Sequence, residues 1–428
     1  MRVGVLWEHE AKISRPVLAG LEAFLEEEHV KPELEGQMVH FRKAFLKRFT
    51  NYLNLSLQST GHELYQTPGR AMDSFSVATA QFCFDVFKEM SSDHTTENLV
   101  FSPLGLLSTL AMVLLGARGN SASEMKKCGP GTGVHAYIQA ILSEISTSSR
   151  GQVYMASGIF ADTTHPFLQK YLNCLEQLYK VKPENLDFKN SIDEARLHTN
   201  SWVQNKTNGF TGGFQSQEKC SPWVTSATPS GLKSQALTVI VFSSQSGSKV
   251  VQMRRLQGVF KLGSIEEPGV QVLEVPDVEG HLTLVIILPG ENVGLGQVIR
   301  EVTFEKLKTW VSLANMADTA VDLRLPQLRL EGSQEDLTSI MGALGMTDVL
   351  DPSLANLSGI TAGGGLVVSK IFHRPILQVT EGDSGSFLSD PTGPVDNPEI
   401  VQVDRPFLMA ILWKKTYTIL FYAAVTNP

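Results

Sequence analysis

The sequence predicts a mixed α and β fold, and three observations support this class. Apolar residues recur at helical spacing over 74–90 and fill most of 104–117, which indicates two buried helices. Two apolar extended runs close the chain, 366–379 and 407–425, and a Lys-Lys pair interrupts the second as a hairpin turn would. Helical and extended segments alternate irregularly, without the repetition of a parallel βαβ sheet. We therefore expect strands at both ends of a mixed domain.

The first 71 residues differ from those that follow. Apolar residues between Val39 and Leu53 recur at approximately helical spacing, while arginines and lysines take other positions. We expect residues 1–71 to be an N-terminal extension that either forms an amphipathic helix or is poorly ordered. Pro68-Gly69 breaks the pattern, since proline lacks an amide donor and glycine lacks Cβ, so the main domain is predicted over 72–428.

The same periodicities predict the order of elements in the main domain. Residues 98–101 are extended, and Ser102 is a suitable N-cap for the helix that follows Pro103. The further elements are, in chain order, a strand over 152–160, helices over 166–180 and 191–206, and strands over 282–288 and 321–325.

Composition argues against several classes of function. Of the 428 residues, 42% are hydrophobic and 19% are charged, as in ordinary globular proteins. The net charge of -8 argues against a nucleic-acid or anionic-membrane partner, because such binders concentrate lysine and arginine. The longest apolar run, 104–117, is too short for a membrane span. No signal peptide is visible, so we expect a cytoplasmic protein, or one that reaches the extracellular space by unconventional release.

No metal, cofactor or catalytic site is expected. The four cysteines are widely separated and lack metal-ligand spacing, which favours reduced, buried thiols. The histidines are scattered and form no metal-binding pattern. The pentapeptide Gly-Asp-Ser-Gly-Ser at 382–386 resembles the nucleophile loop of chymotrypsin-type proteases. That similarity covers five residues and no matching histidine segment precedes it, so we do not interpret the protein as a protease.

Segment 381–404 is unusual in its composition. It holds three prolines, three glycines and six acidic residues, with no lysine or arginine, yet it lies between two strongly apolar runs. We predict a long exposed loop. Loops of this length in compact domains are usually functional or disordered.

Several segments resemble, in the same order, members of the serpin superfamily. The C-terminal run Val403-Asp404-Arg405-Pro406-Phe407-Leu408 carries much of the resemblance. The other matching segments are 101–104, 115–119, 200–203, 205–209, 288–289, 325–326, 344–348, 357–361, 418–422 and 427–428. Together they span about 72–428. Met72-Asp73-Ser74 before a Phe-rich helix, and segment 344–348, resemble the ovalbumin-type branch, clade B, near megsin-like members.

The resemblance implies a mixed α+β serpin fold with three β-sheets, eight to nine helices and an exposed reactive-centre loop, which 381–404 would supply. It also implies inhibition of serine endopeptidases rather than enzymatic activity. In inhibitory serpins the target protease cleaves this loop and becomes acylated. The loop then inserts as a new strand into the main sheet and carries the protease with it. Such an inhibitor is consumed rather than turning over.

The predicted hinge of this loop departs from the inhibitory pattern. Inhibitory serpins have Glu-Gly-Thr and a run of small residues here, because alternate side chains enter the interior. Asp383 stands at the threonine position, and burial of an unpaired carboxylate is strongly unfavourable. Pro391 and Pro394 would each remove a ladder hydrogen bond, so insertion is expected to be strongly impaired. The hinge residues are Glu381, Gly382, Asp383, Ser384, Gly385 and Ser386.

A second departure concerns the central strand that borders the insertion gap. In the family, an asparagine of that strand joins a serine and a histidine that resemble Ser102 and His373 here. Over 210–233 the asparagine is unmatched. Ser102 and His373 are predicted to form a structural pair, the shutter of the sheet. The alternative is a plain helix cap and an unrelated core histidine.

The predicted loop also restricts the choice of partner. Counting from Gly382 places the scissile bond at Asp396-Asn397, to within several residues. An acidic site, and the lack of lysine and arginine over 381–404, favour a serine or cysteine protease that accepts acidic or small apolar residues. Two hypotheses stay open. One is a monomeric protease inhibitor, as the family implies; the other is a non-inhibitory serpin with a binding, chaperone-like or storage role, as the hinge indicates.

Overall fold

A computed structural model describes most of the chain beyond residue 73. The predicted extension 1–71 lies outside the described residues, so the extension and its boundary stay predictions. The residues described all belong to one compact unit. They are 74–92, 97–117, 134–148, 153, 155–206, 223–233, 237–244, 247–277, 279–312, 315–332, 337–363, 365–380 and 396–427.

Eight α-helices lie within the described residues, and none of these eight is long and apolar enough to cross a membrane. They are α1 (Ser74–Ser92), α2 (Pro103–Gly116), α3 (Val134–Ser148), α4 (Gln169–Tyr179), α5 (Ile192–Lys206), α6 (Leu295–Glu301), α7 (Phe304–Trp310) and α8 (Thr338–Ala343). Helix α2 begins at the predicted Ser102 cap, whose Oγ accepts the Gly105 N–H. Pro103 fits the first helical position because it has no amide proton to leave unpaired.

The described strands form two hydrogen-bonded sheets. They are β1 (Leu99–Phe101), β2 (Ala156–Asp162), β3 (Glu184–Leu186), β4 (Trp223–Lys233), β5 (Leu237–Ser244), β6 (Gly247–Ile265), β7 (Val270–Pro276), β8 (Leu282–Pro289), β9 (Ala317–Pro326), β10 (Leu328–Glu331), β11 (Lys370–Thr380), β12 (Glu399–Gln402), β13 (Phe407–Trp413) and β14 (Thr418–Val425).

The larger sheet has nine strands. Its order is β1-β14-β13-β8-β7-β6-β9-β12, and β5 pairs with β6. The 19-residue strand β6 is long enough to pair with two groups of strands. Its residues 253–262 pair with β9, and residues 261–265 pair with β7. The two groups that share β6, together with the smaller sheet, correspond to the three sheets that the family resemblance implies.

The smaller sheet has five strands in the order β10-β11-β4-β2-β3. At its centre β11 and β4 run parallel and pair directly. Lys370 through Thr380 register with Trp223 through Lys233, which makes eleven residue pairs. Strand β2 pairs antiparallel with β4 on the other side, from Ala156 to Ile159. No strand lies between β11 and β4.

Helix α2 and the last two strands occupy the middle of the core. Twelve of the 14 residues of α2 are buried, as expected for a helix that is apolar on all sides. Strands β13 and β14 are buried along their whole length. The rings of Phe84 and Phe87 pack edge-on against the ring of Tyr422 on β14, with centroid distances of 5.3 Å for Phe84 and 4.7 Å for Phe87. The predicted buried helix and the predicted C-terminal hairpin are therefore confirmed.

Three expectations need correction at their edges. The strand predicted over 366–379 begins only at Lys370, and the one predicted over 152–160 is found at Ala156–Asp162. The loop predicted over 381–404 contains β12, which pairs with β9. This strand forms because alternation buries Val401, which is 2% exposed, and leaves Ile400 58% exposed.

The prediction of reduced cysteines is correct for Cys83 and wrong for Cys174. Cys83 is a free thiol in α1 and is fully buried. Cys174 of α4 is disulfide-bonded. Wide spacing in the sequence misled us, because it does not tell which cysteines the fold brings together.

Pro375 lies within β11 near the centre of the smaller sheet, where proline is normally disfavoured. Its carbonyl accepts the Gly332 N–H at 2.9 Å, on the side of β10. The amide position of a strand residue faces the same neighbour as its carbonyl, and β10 has already ended at Glu331. The proline therefore removes no hydrogen bond to β4. A Cβ added to Gly332 would lie 2.7 Å from Pro375 Cδ, so the glycine makes room for the ring.

We expect Gly332→Ala to lower the free energy of unfolding by about 1–3 kcal/mol, because the new methyl group overpacks the Pro375 ring. Adding Pro375→Ala should recover most of this loss. Urea unfolding of the two single variants and the double variant measures the coupling. Gly363→Ala is the control, since no atom lies within 4 Å of a Cβ there. Strictly additive losses at 332 and 375 would contradict the proposed contact.

Candidate functional site

Ser102 joins three elements at one point. Its backbone N–H donates to Nε2 of His373 on β11 at 2.9 Å. Its Oγ donates to the Leu420 carbonyl of β14 at 2.7 Å and accepts the Gly105 N–H of α2 at 3.3 Å. Both Ser102 and His373 are buried, at 0% and 2% exposed. The structure thus places in contact the two residues that the sequence analysis paired.

The geometry fixes the protonation state of His373. Burial lowers the pKa of this histidine from 6.5 to about 3, because the charged ring would lose its hydration. Nε2 accepts the Ser102 N–H, so the single proton of the neutral ring is assigned to Nδ1. The Phe101 ring packs at 73° to the imidazole with centroids 5.6 Å apart. A second proton would fall on Nε2, face the Ser102 N–H and break this hydrogen bond.

Strand β4 supplies the position opposite His373 in the sheet. In the parallel pairing with β11, Ser226 registers with His373, and in the antiparallel pairing with β2 it registers with Ser157. These three positions form one row across β2, β4 and β11. The asparagine of the family's central strand has no match in the sequence over 210–233. In this chain, Ser226 is the β4 residue in the row that contains His373.

Hydroxyl groups of α2 continue the polar contacts below β2. Thr109 Oγ1 lies 3.0 Å from the Gly105 carbonyl oxygen and 3.1 Å from Ser157 Oγ. Ser108 Oγ donates to the same carbonyl at 2.8 Å. Helix α2 is therefore bonded to β11 through Ser102 and to β2 through Thr109, on either side of β4.

The far end of the predicted loop lies at the start of β12. Asp396 and Asn397, the predicted scissile pair, are exposed and lie in a bend just before this strand. Asn397 has φ 47°, so the chain is not extended at this bond. Cleavage between Asp396 and Asn397 stays a prediction. Hinge residues 381–386 lie outside the described residues and follow directly after Thr380, where β11 ends.

A buried carboxylate holds the sheet beside β12. Both Arg255 Nε and one of its terminal nitrogens donate to Asp322 of β9 at 2.8 Å. Asp322 is only 2% exposed, and the hydrogen bond from Arg255 lowers the pKa of its carboxyl. Arg324 of β9 then reaches across to β12, where it donates to Gln402 Oε1 at 3.2 Å.

The contacts continue from β12 to β8. Gln402 Nε2 donates to Asp404 Oδ2 at 2.9 Å, and Asp404 Oδ1 pairs with Arg405 at 2.9 Å. Arg405 Nε donates to the Pro289 carbonyl at the end of β8, at 2.7 Å. In the sequence, segment 403–408 indicated only a family resemblance, and this role was missed. The Asp-Arg pair fastens the chain where it leaves the loop region.

Comparison with known proteins agrees with this architecture. The profile of one family, Serpin (serine protease inhibitor), matches residues 77–217 and 235–428. Ovalbumin from Dromaius novaehollandiae is 33% identical over 390 residues, which cover 83% of this chain and 100% of that protein. Serpin B8 from Bos taurus is 32% identical over 377 residues with the same two coverages. The chain belongs to the serpin family, in its ovalbumin-type, clade B branch.

Solved structures of related proteins have the same fold as this chain. Uncleaved ovalbumin superimposes with a TM-score of 0.74 at 29% identity, over 82% of this chain and 99% of that one. A loop-inserted, cleaved ovalbumin with an arginine-to-threonine mutation superimposes with a TM-score of 0.70 at 27% identity, with the same coverages. The predicted serpin fold is confirmed, and the family is one of protease inhibitors rather than enzymes.

The depressed pKa of His373 predicts a pH dependence of stability. Between pH 6.5 and about 3 the unfolded chain binds a proton on this histidine that the folded chain does not. The free energy of unfolding should therefore fall as the pH is lowered through this window, by up to about 1.4 kcal/mol per pH unit. His373→Gln keeps an acceptor for Ser102 and cannot titrate, so its urea-unfolding free energy should depend less steeply on pH.

His135 provides the comparison for this experiment. It is also buried, and burial lowers its pKa to about 4, but it lies on α3, away from the sheet centre. His135→Gln should flatten the same pH profile, and the double variant should flatten it further. An unchanged slope in His373→Gln would contradict the neutral, buried state assigned to this ring.

Proposed function

We propose that this protein is a non-inhibitory, ovalbumin-type serpin that acts by binding, as a chaperone-like or storage protein. The observation that supports this role is the carboxylate of Asp383 at the hinge position where inhibitory serpins bury a threonine. For inhibition, the hinge would have to enter the sheet between β11 and β4. An ionised side chain without a partner is strongly disfavoured in such an interior.

The closed sheet adds to the barrier. Strands β11 and β4 already pair with each other over eleven residue pairs. A strand that enters between them must separate them along this length. The inserted loop would also form fewer backbone hydrogen bonds than usual, because Pro391 and Pro394 have no N–H to donate to either neighbouring strand. Insertion would also displace β11, whose His373 is fastened to Ser102. We assign this pair the role of a shutter that keeps the sheet closed.

Asp383 is the residue to replace first in a test of insertion. Its carboxylate stands at the position where inhibitory serpins have a threonine. Replacement of Asp383 by threonine is therefore the substitution most suited to permit insertion.

A second candidate function is the inhibition that the family description gives. The absence of lysine and arginine over 381–404 favours, for this case, a serine or cysteine protease that accepts acidic or small apolar residues. In either case we propose a monomer that resides in the cytoplasm or is released to the extracellular space by an unconventional route.

The two candidates predict different responses to cleavage of the loop. We expect the thermal midpoint of the protein to stay unchanged after a nonspecific protease cuts the loop once. In the triple variant Asp383→Thr, Pro391→Ala and Pro394→Ala, cleavage should raise the thermal midpoint by roughly tens of degrees. The reason is that an inserted strand adds many backbone hydrogen bonds and buried contacts. Differential scanning calorimetry of cut and intact samples makes the measurement.

The matched control is Asp390→Thr with the same two proline replacements, which removes a carboxylate seven residues further along the loop. Residues seven apart in a strand face opposite sides, so in an inserted strand Asp390 would face outward and Asp383 inward. The control variant therefore keeps the charge that insertion would bury. Its midpoint should not rise on cleavage. A large rise in the cleaved wild-type protein, or a stable acyl complex with any protease, would overturn the non-inhibitory assignment.

A further inference from the structure

A large cavity lies at the edge of the smaller sheet, beside β2 and β3. Helices α3, α4 and α5 and strands β2 and β3 surround it, and its volume is about 1130 Å³. Pockets for small molecules in proteins have volumes of about 300–1,000 Å³, so this cavity has room for a ligand of substantial length. Of the residues described above, Ser108 and Ser157 line the cavity, whereas Ser102, His373 and β12 do not.

Apolar side chains form part of the cavity wall, beside hydroxyl and amide side chains of α2, α3 and β2. Trp202 of α5 forms one wall, in edge-on contact with Phe160 at 5.5 Å. A Cβ on Gly158 of β2 would lie 2.9 Å from the indole, so the glycine lets the ring lie directly against the strand. The apolar side chains that line the cavity are Leu142, Ile145, Val153, Met155, Ala156, Leu178, Val181 and Trp202.

The rim of the cavity carries excess positive charge. Lys180, Lys182 and Lys206 line it, and all three are exposed. Lys182 is 3.8 Å from Glu176, an exposed pair that contributes little. Among the described residues, Lys180 and Lys206 have no ion-pair partner.

Only one acidic residue lines the described part of the cavity. This residue, Glu184, already has its carboxylate 2.6 Å from His198 Nε2. The lysines are therefore left to attract an anion from outside the chain.

We infer that this cavity binds a long-chain fatty acid. The alkyl chain would lie along Trp202 and the aliphatic side chains, where burial of apolar surface drives binding. The carboxylate would remain at the rim and accept charge-assisted hydrogen bonds from the lysines. A neutral chain of the same length would gain only the first of these contributions. This inference does not depend on whether the reactive loop inserts.

Equilibrium dialysis of the full-length protein against radiolabelled palmitate, below its critical micelle concentration, tests the site. We expect saturable binding of one equivalent. Replacement of the three rim lysines, as Lys180→Gln with Lys182→Gln and Lys206→Gln, should weaken binding about tenfold or more, and hexadecanol should bind the wild-type protein correspondingly less tightly than palmitate. These lysines are exposed, so the variant is expected to fold normally.

A second pair of variants tests the position of the ligand. Ser143 lies on α3 at the cavity and is exposed, so Ser143→Trp should fill the entrance and abolish binding without disturbing the core. Ala140→Trp places the same side chain on an exposed position of α3 that does not line the cavity, and it should bind palmitate as the wild type does.

Several results would overturn the inference. They are the absence of saturable binding, equal affinities for palmitate and hexadecanol, and binding by Ser143→Trp that matches Ala140→Trp. Sedimentation with phosphatidic acid vesicles that persists in Ser143→Trp, without binding of free palmitate, would assign the lysines to a lipid surface instead.

Discussion

The direct pairing of β11 with β4 constrains the whole smaller sheet. Eleven registered pairs leave no free edge between these strands, so a further strand can enter only if they separate. Ser102 reinforces this state from below, because one residue bonds to β11, β14 and α2 at once. Movement of β11 away from β4 would shift His373 against a residue that the core holds in place. The closed sheet is therefore secured both by its own ladder and by the helix beneath it.

The polar groups under the sheet define its position as well as its stability. Helix α2 is otherwise apolar, and its few buried hydroxyls find partners at Gly105, Ser157 and Leu420. Buried hydroxyls left without partners are costly, whereas apolar contacts tolerate small displacements. A slip of β2 or β11 along the helix would keep most apolar burial and lose these bonds. The hydroxyls thereby specify a single arrangement of strands over α2.

Periodicity predicted the parts of the fold that bury long apolar segments, such as α1, α2 and the β13–β14 hairpin. It failed where tertiary contacts decide. Strand β4 contains Pro229 and Gly231, which favour turns, and it is a strand because β11 and β2 supply its pairing. Ser102 and His373 are 271 residues apart, so only the family resemblance paired them. Arg255 and Asp322, 67 residues apart, carried no resemblance and were missed.

The contacts that hold the described part of the loop region are separate from the hinge, and this separates family membership from inhibition. At the far end, Arg324 and Gln402 link β12 to β9, and the Asp404–Arg405 pair links the following residues to the end of β8. At the near end, β11 leads at Thr380 into hinge 381–386, the segment that would enter the sheet in an inhibitory serpin. The contacts described for β11, α2 and β12 are made by residues outside this hinge. On the function proposed above, a serpin can keep these contacts, and with them its fold, while the carboxylate of Asp383 makes insertion unfavourable.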